Sequence, residues 1–120
     1  MINIPVDESV AFDMYSILRV KFDASGWTSL KIQKEMTIFA QSLCNQLGRE
    51  KFIEILDSEE FDVLEKENKR LFDTIDRLRG GDNTISAAMI DNANLMRYQA
   101  KQALQKKFFG TEMMEVKFTK

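Results

Sequence analysis

Two lines of polar residues at helical spacing are where this sequence can do chemistry. The first is Ile90, Asn94, Arg97, Lys101, Leu104 and Phe108, which step by four and three along one helix face. An amide, a guanidinium and an ammonium occupy the middle of a stripe whose ends are apolar. At that spacing they can hold a phosphate or a carboxylate together. They can also meet acids of a neighbouring helix, with Asp13 and Asp76 as the candidates. Pairing inside the protein is the commoner fate of half-buried charge.

The second line is Phe61, Leu64, Asn68, Leu71, Ile75 and Leu78, an a/d heptad stripe within a segment running to Arg79. Asparagine fills its second a position. In a coiled-coil seam such an Asn pairs with its counterpart and fixes register. In an intramolecular bundle it satisfies a polar group on another helix.

Carboxylates at i,i+3 are frequent: Glu54/Asp57, Glu59/Asp62, Asp62/Glu65 and Asp73/Asp76. On a helix each pair shares a face and can hold Mg²⁺, as helical nucleotide pyrophosphohydrolases do. A chain with 19 acidic residues on long helices produces such pairs by composition alone, so no metal site is assigned. The chain has no histidine, which excludes histidine-based triads, His-containing zinc sites and His-containing di-iron bundles. Cys44 stands alone beside an apolar stripe and reads as packing. Gly80-Gly81 lacks the Lys-Ser/Thr of a phosphate loop. No cofactor is expected.

The elements that must position these residues are helical. Asp7 is placed to cap a helix from about Glu8 to Phe22, with Val10, Met14, Ile17, Leu18 and the stem of Lys21 facing inward. A second helix is expected from Thr28 to Leu47 on Ile32, Met36, Phe39, Leu43 and Leu47, stopped by Gly48. Arg49 to Leu56 is short and amphipathic through Phe52, Ile53 and Leu56. Asp57 or Ser58 caps the heptad helix, which ends at Gly80-Gly81-Asp82. The last helix is expected from Asn83 to Phe109, stopped by Gly110. Ile2, Ile4 and Val6 alternate with polar or proline positions, as Met114, Val116 and Phe118 do, so the termini suit two short strands.

Composition sets the frame. With 120 residues, 44% apolar and 30% charged, the chain is one ordinary globular domain, 1–120. No apolar run approaches a bilayer span, and the N-terminus lacks a signal-peptide pattern. A single cysteine fits a reducing compartment, and the expected location is cytoplasmic. The net charge of −2 combines an acidic stretch, 1–82, with a basic one, 83–120. The basic excess, with Lys106, Lys107, Lys117 and Lys120, is too small for a nucleic-acid surface.

The opening IPVDESVAFDMYSILRVK resembles that of a small, functionally uncharacterised family of helical proteins from bacteria and their phages. Asp13, Ile17, Leu18 and Lys21 match its Asp-Lys-x-x-Ile-Leu-x-x-Lys, with Met14 in place of the lysine. Asn68, Leu71, Phe72, Asp76 and Arg79 match its Asn-x-x-Leu-Trp-x-x-x-Asp-x-x-Arg, with Phe for Trp. Asn94, Arg97 and Lys101 match its Asn-x-x-Arg-x-x-x-Lys. The resemblance implies a carbohydrate-related or accessory role. It also singles out Asp13, Lys21, Asn68, Asp76, Arg79, Asn94, Arg97 and Lys101 as one converging polar cluster or ligand site.

The expected protein is therefore all-α: an antiparallel bundle of three long helices and one short helix, with a terminal strand pair as a possible addition. Its expected function is a non-enzymatic interaction or accessory module, self-associating into a homo-oligomer through the Phe61–Leu78 seam. The competing expectation is a binding protein or Mg-dependent hydrolase for phosphate-bearing sugars or nucleotides, resting on Arg79, Arg97 and Lys101 with Asp73 and Asp76.

Overall fold

A computed structural model of the chain describes residues 5–113. Their fold is all-helical: α1 (Glu8–Ala24), α2 (Leu30–Leu47), α3 (Arg49–Leu56), α4 (Glu59–Arg79) and α5 (Ala87–Phe109). That is four long helices and one short one, at the five segments the sequence marks out and one long helix more than the expected bundle of three long and one short. Gly48, at φ 86°, lets the chain turn between α2 and α3 in a conformation that residues with a Cβ rarely adopt. Of the expected strand pair, Ile2, Ile4, Met114, Val116 and Phe118 lie outside the described residues, and Val6 is exposed and in no strand. No described helix is long and apolar enough to cross a membrane.

Local chemistry accounts for the helix ends. The Ser29, Ser58 and Ser86 hydroxyls accept from the backbone N–H of Ile32, Phe61 and Met89. Glu59, Glu60 and Asp62 stand in the first turn of α4, and Arg77 and Arg79 in its last, matching its dipole at both ends. The pair Asp62–Lys66, 2.9 Å apart, braces its exposed face. Gly110 ends α5 in the left-handed conformation, φ 66°.

The start of α1 departs from expectation. Asp7 occupies the N-cap position, yet its side chain makes no capping bond. Instead Gln105 reaches across from α5, and its Oε1 accepts from Ser9 N–H at 2.9 Å. The Gln105 amide nitrogen donates to Thr111 Oγ1 at 2.9 Å and Glu8 Oε2 at 3.2 Å, so the buried amide is satisfied at both ends.

The core is built around Phe12. Its ring lies 6.1 Å from that of Phe52 and 6.3 Å, edge-on, from that of Phe61. Leu43, Ile55, Leu64, Ala100 and Leu104 close around these rings. The buried residues of α1 are Ser9, Phe12, Asp13, Ser16, Leu18 and Val20, so of the expected stripe Leu18 is buried, while Val10 and Ile17 are only half-buried. Met14 and Lys21 are exposed. In α3, Phe52 is buried and Leu56 half-buried as expected, but Ile53 is 41% exposed and Ile55, not Ile53, is fully buried.

Phe61, Leu64 and Asn68 of the heptad seam are buried within their own chain. Leu71 and Ile75 are half-buried and Leu78 is exposed. The N-terminal half of the seam thus serves the intramolecular core.

Candidate functional site

The two polar lines meet on α1. Asp13 is 2% exposed and stands between α4 and α5. Its Oδ1 accepts from Asn68 Nδ2 at 2.9 Å and from Arg97 Nε at 3.2 Å. The second oxygen accepts from Arg97 Nη2, and the Lys101 ammonium stands 3.9 Å from it. Arg97 thus grips both carboxylate oxygens, the two-point geometry that makes guanidinium–carboxylate pairs strong. Asn68 Nδ2 also donates to Ser16 Oγ at 3.1 Å.

Each helix supplies its part through its register. Asp13 and Ser16 are three residues apart on α1, so both present to Asn68. Arg97 and Lys101 are four apart on α5, with Leu104 one step beyond in the core. Burying a carboxylate is costly in isolation, and two cations with an amide make the position tolerable. Asn68 Oδ1 is buried without a hydrogen-bond partner among the described residues. The asparagine therefore acts here as a donor to Asp13 and Ser16.

The eight residues expected to form one cluster divide. Asp13, Asn68, Arg97 and Lys101 come together. Asn94 is half-buried on α5, one turn before Arg97. Lys21, Asp76 and Arg79 are exposed, and they line a separate cleft of about 250 Å³ with Phe72 and Ile75. Of the two acids proposed to meet the α5 cations, Asp13 does so through its ion pairs with Arg97 and Lys101. Sequence reasoning missed Ser9, Ser16 and Gln105, which connect the same helices. Nothing in their types distinguishes them from surface residues.

A second ionic contact sits beside the core. Arg19 pairs with Glu65 at 2.9 Å and lies over the Phe61 ring, 5.5 Å from its centre. Burial raises the Glu65 carboxyl above its ordinary range, with Arg19 opposing that shift. Among the described residues no three His, Cys, Asp or Glu side chains gather to hold a metal ion.

The buried cluster can hold helices α1, α4 and α5 in one arrangement. Its one carboxylate is already bound by a guanidinium at both oxygens, so it is poorly suited to act as a base or nucleophile. Comparison with protein-family models, curated proteins and solved structures found no match for the chain.

Proposed function

We propose that the protein is a non-enzymatic interaction or accessory module that self-associates. The observation that carries this reading is the outward apolar surface of α2 and the turn before it. Only Leu43 of the eighteen residues of α2 is buried. Trp27, Leu30 and Ile38 are 73%, 71% and 64% exposed. Apolar side chains gathered on one exposed helix, left uncovered by their own chain, are the usual mark of a contact surface. The internal engagement of Asp13, Arg97 and Lys101 supports the non-enzymatic half of the reading.

The surface invoked differs from the Phe61–Leu78 seam, because Phe61 and Leu64 are spent on the chain's own core. An antiparallel bundle is the architecture this reading assumes. The Lys107–Glu60 contact of 3.0 Å, which joins the last turn of α5 to the first turn of α4, supports it. A cytoplasmic location is part of the proposal, in keeping with the free thiol of Cys44. Sedimentation equilibrium over a wide concentration range tests the central claim. A mass that rises with concentration is expected, and a strict monomer at roughly millimolar protein overturns it.

A second reading has one observation in its favour, the cleft of Lys21, Asp76 and Arg79 against Phe72 and Ile75. Two cations beside an aromatic wall suit a phosphate-bearing sugar or nucleotide, with Asp76 as the residue toward Mg²⁺. Against it, Lys21 and Arg79 occupy the last turns of α1 and α4, where basic residues offset the negative helix ends. A thermal-shift screen of sugar phosphates and nucleotides with Mg²⁺ separates the two. A true ligand at a hundred times its Kd adds about 2.7 kcal/mol, and the absence of any shift removes this reading.

A further inference from the structure

We propose that self-association occurs through a two-fold contact in which the basic outer face of α2 lies on the acidic outer face of α3 in a second copy. This inference rests on the self-association reading above and names its surfaces.

The α2 side has a fixed anchor. Trp27 has φ 64°, a left-handed backbone that bulky residues rarely adopt. Its indole N–H donates to Asp23 Oδ1 at 2.8 Å, so the exposed ring is held in one orientation. An aromatic ring ordered before binding loses little freedom when it docks, which favours it as a contact centre. Leu30, Gln33, Lys34, Thr37 and Ile38 line a shallow groove beyond it, and Lys31 is exposed alongside.

The α3 side has the opposite sign. Glu50, Ile53, Glu54 and Asp57 follow the i, i+3, i+4, i+7 pattern of one helix face. All four are exposed, so an apolar residue is framed by three carboxylates. Among the described residues, Lys31, Lys34, Glu50, Glu54 and Asp57 have no side-chain ion pair. Arg49, at the edge of the acidic face, and half-buried Glu35 on α2 moderate the contrast without reversing it.

A second copy is the favoured occupant because one chain carries both complementary surfaces on consecutive helices, separated by Gly48 alone. When α2 of one copy meets α3 of the other, two-fold symmetry forms the reciprocal contact as well. The arrangement closes at a dimer, and its rim charges make it sensitive to salt.

Charge reversal tests the contact, because every substituted residue is exposed. Lys31→Glu with Lys34→Glu, and separately Glu50→Lys with Glu54→Lys, should each weaken dimerisation roughly tenfold or more. An equimolar mixture of the two variants should restore it, since both contacts of the mixed dimer then join opposite charges. A variant carrying all four reversals should dimerise by itself. Circular dichroism confirms that each variant is helical, and sedimentation velocity reads the association. A dimer unmoved by either reversal, or reversals without rescue in the mixture, overturns the α2–α3 contact while leaving self-association intact. A wild-type chain that stays monomeric overturns both. Trp27→Ala supplies a charge-independent check, with a weaker dimer expected and an unchanged one counting against the anchor.

Discussion

Removing the Asp13 carboxylate would leave Arg97 and Lys101 without the group they share, in a site where Asp13 and Lys101 are 2% and 6% exposed. Breaking a buried ion pair from one side costs up to about 3–5 kcal/mol where the charge left behind is far from water, and Arg97, 24% exposed, makes that an upper bound here. Asp13→Ala should lower the unfolding free energy by about 2–4 kcal/mol in urea titrations. Asp13→Asn keeps the shape and one acceptor, so its loss should be smaller. Near-wild-type stability for Asp13→Ala would contradict a structural role for the cluster. Asn68, Arg97 and Lys101 were legible in the sequence because polar groups interrupting an apolar stripe must find partners. Ser9, Ser16 and Gln105 were not legible. Their burial follows from where Phe12 inserts between Phe52 and Phe61, a packing event no local pattern records. The same event turns Phe12, Asp13 and Ser16 inward beside the expected Leu18 and leaves Met14 exposed. The buried positions of α1 include two serines and an aspartate: Asn68 and Arg97 satisfy Asp13 and Ser16, while Gln105 meets only the Ser9 backbone N–H and the Ser9 hydroxyl has no hydrogen-bond partner among the described residues.

Helices α1 and α4 begin where the sequence placed them, at Glu8 and behind the Ser58 cap, whereas α2 begins at Leu30 behind Ser29 and not at Thr28, and α5 begins behind Ser86 and not at Asn83. The segment expected to open α5 at Asn83 is instead a turn organised by Asp82. Asp82 Oδ1 accepts from the backbone N–H and hydroxyl of Thr84, and Oδ2 accepts from Arg77. Ile85 then turns inward, 8% exposed, before Ser86 starts the helix. The Thr84 hydroxyl and N–H, followed by Arg77, hold the Asp82 carboxyl down from 3.8 to about 2. A folded-state value below the unfolded one means the native state favours the ionised form. The contribution is present above about 3.8 and is lost as the pH falls through about 2. A proton titration of the Asp82 carboxyl by NMR should give a midpoint near 2. Thr84→Val should move it up toward 3.8, because the leading cause has been removed. An unmoved midpoint would mean that the backbone N–H of residue 84 and Arg77, not the Thr84 hydroxyl, set the value.

Across the whole molecule, apolar cover is distributed unevenly, and this connects the fold to the proposed function. The helices α1, α3, α4 and α5 supply Phe12, Phe52, Ile55, Phe61, Leu64, Ala100 and Leu104 to one core, whereas α2 contributes only Leu43 as a buried side chain, with Ala40, Cys44 and Leu47 half-buried against that core. The all-helical class was legible from periodicity. This unevenness was not, because the expected stripe of Ile32, Met36, Phe39, Leu43 and Leu47 does turn inward, yet only Leu43 is buried and the other four are half-buried. Few buried contacts imply a low free energy of local opening. The amides of Leu30–Phe39 should therefore exchange with solvent hydrogen faster than those of the Phe61–Asn68 segment of α4 in dilute protein. If α2 is the self-association surface, raising the protein concentration should slow exchange in α2 and in Arg49–Leu56, and leave the α4 core segment unchanged. Covering α2 and α3 removes their opening routes, whereas α4 already opens only with the global transition. Exchange read by mass spectrometry at two concentrations resolves these segments. Equal rates in α2 at both concentrations, in a sample that sedimentation proves dimeric, would move the interface elsewhere, with the exposed Met89, Leu95 and Met96 face of α5 as the next apolar surface to examine.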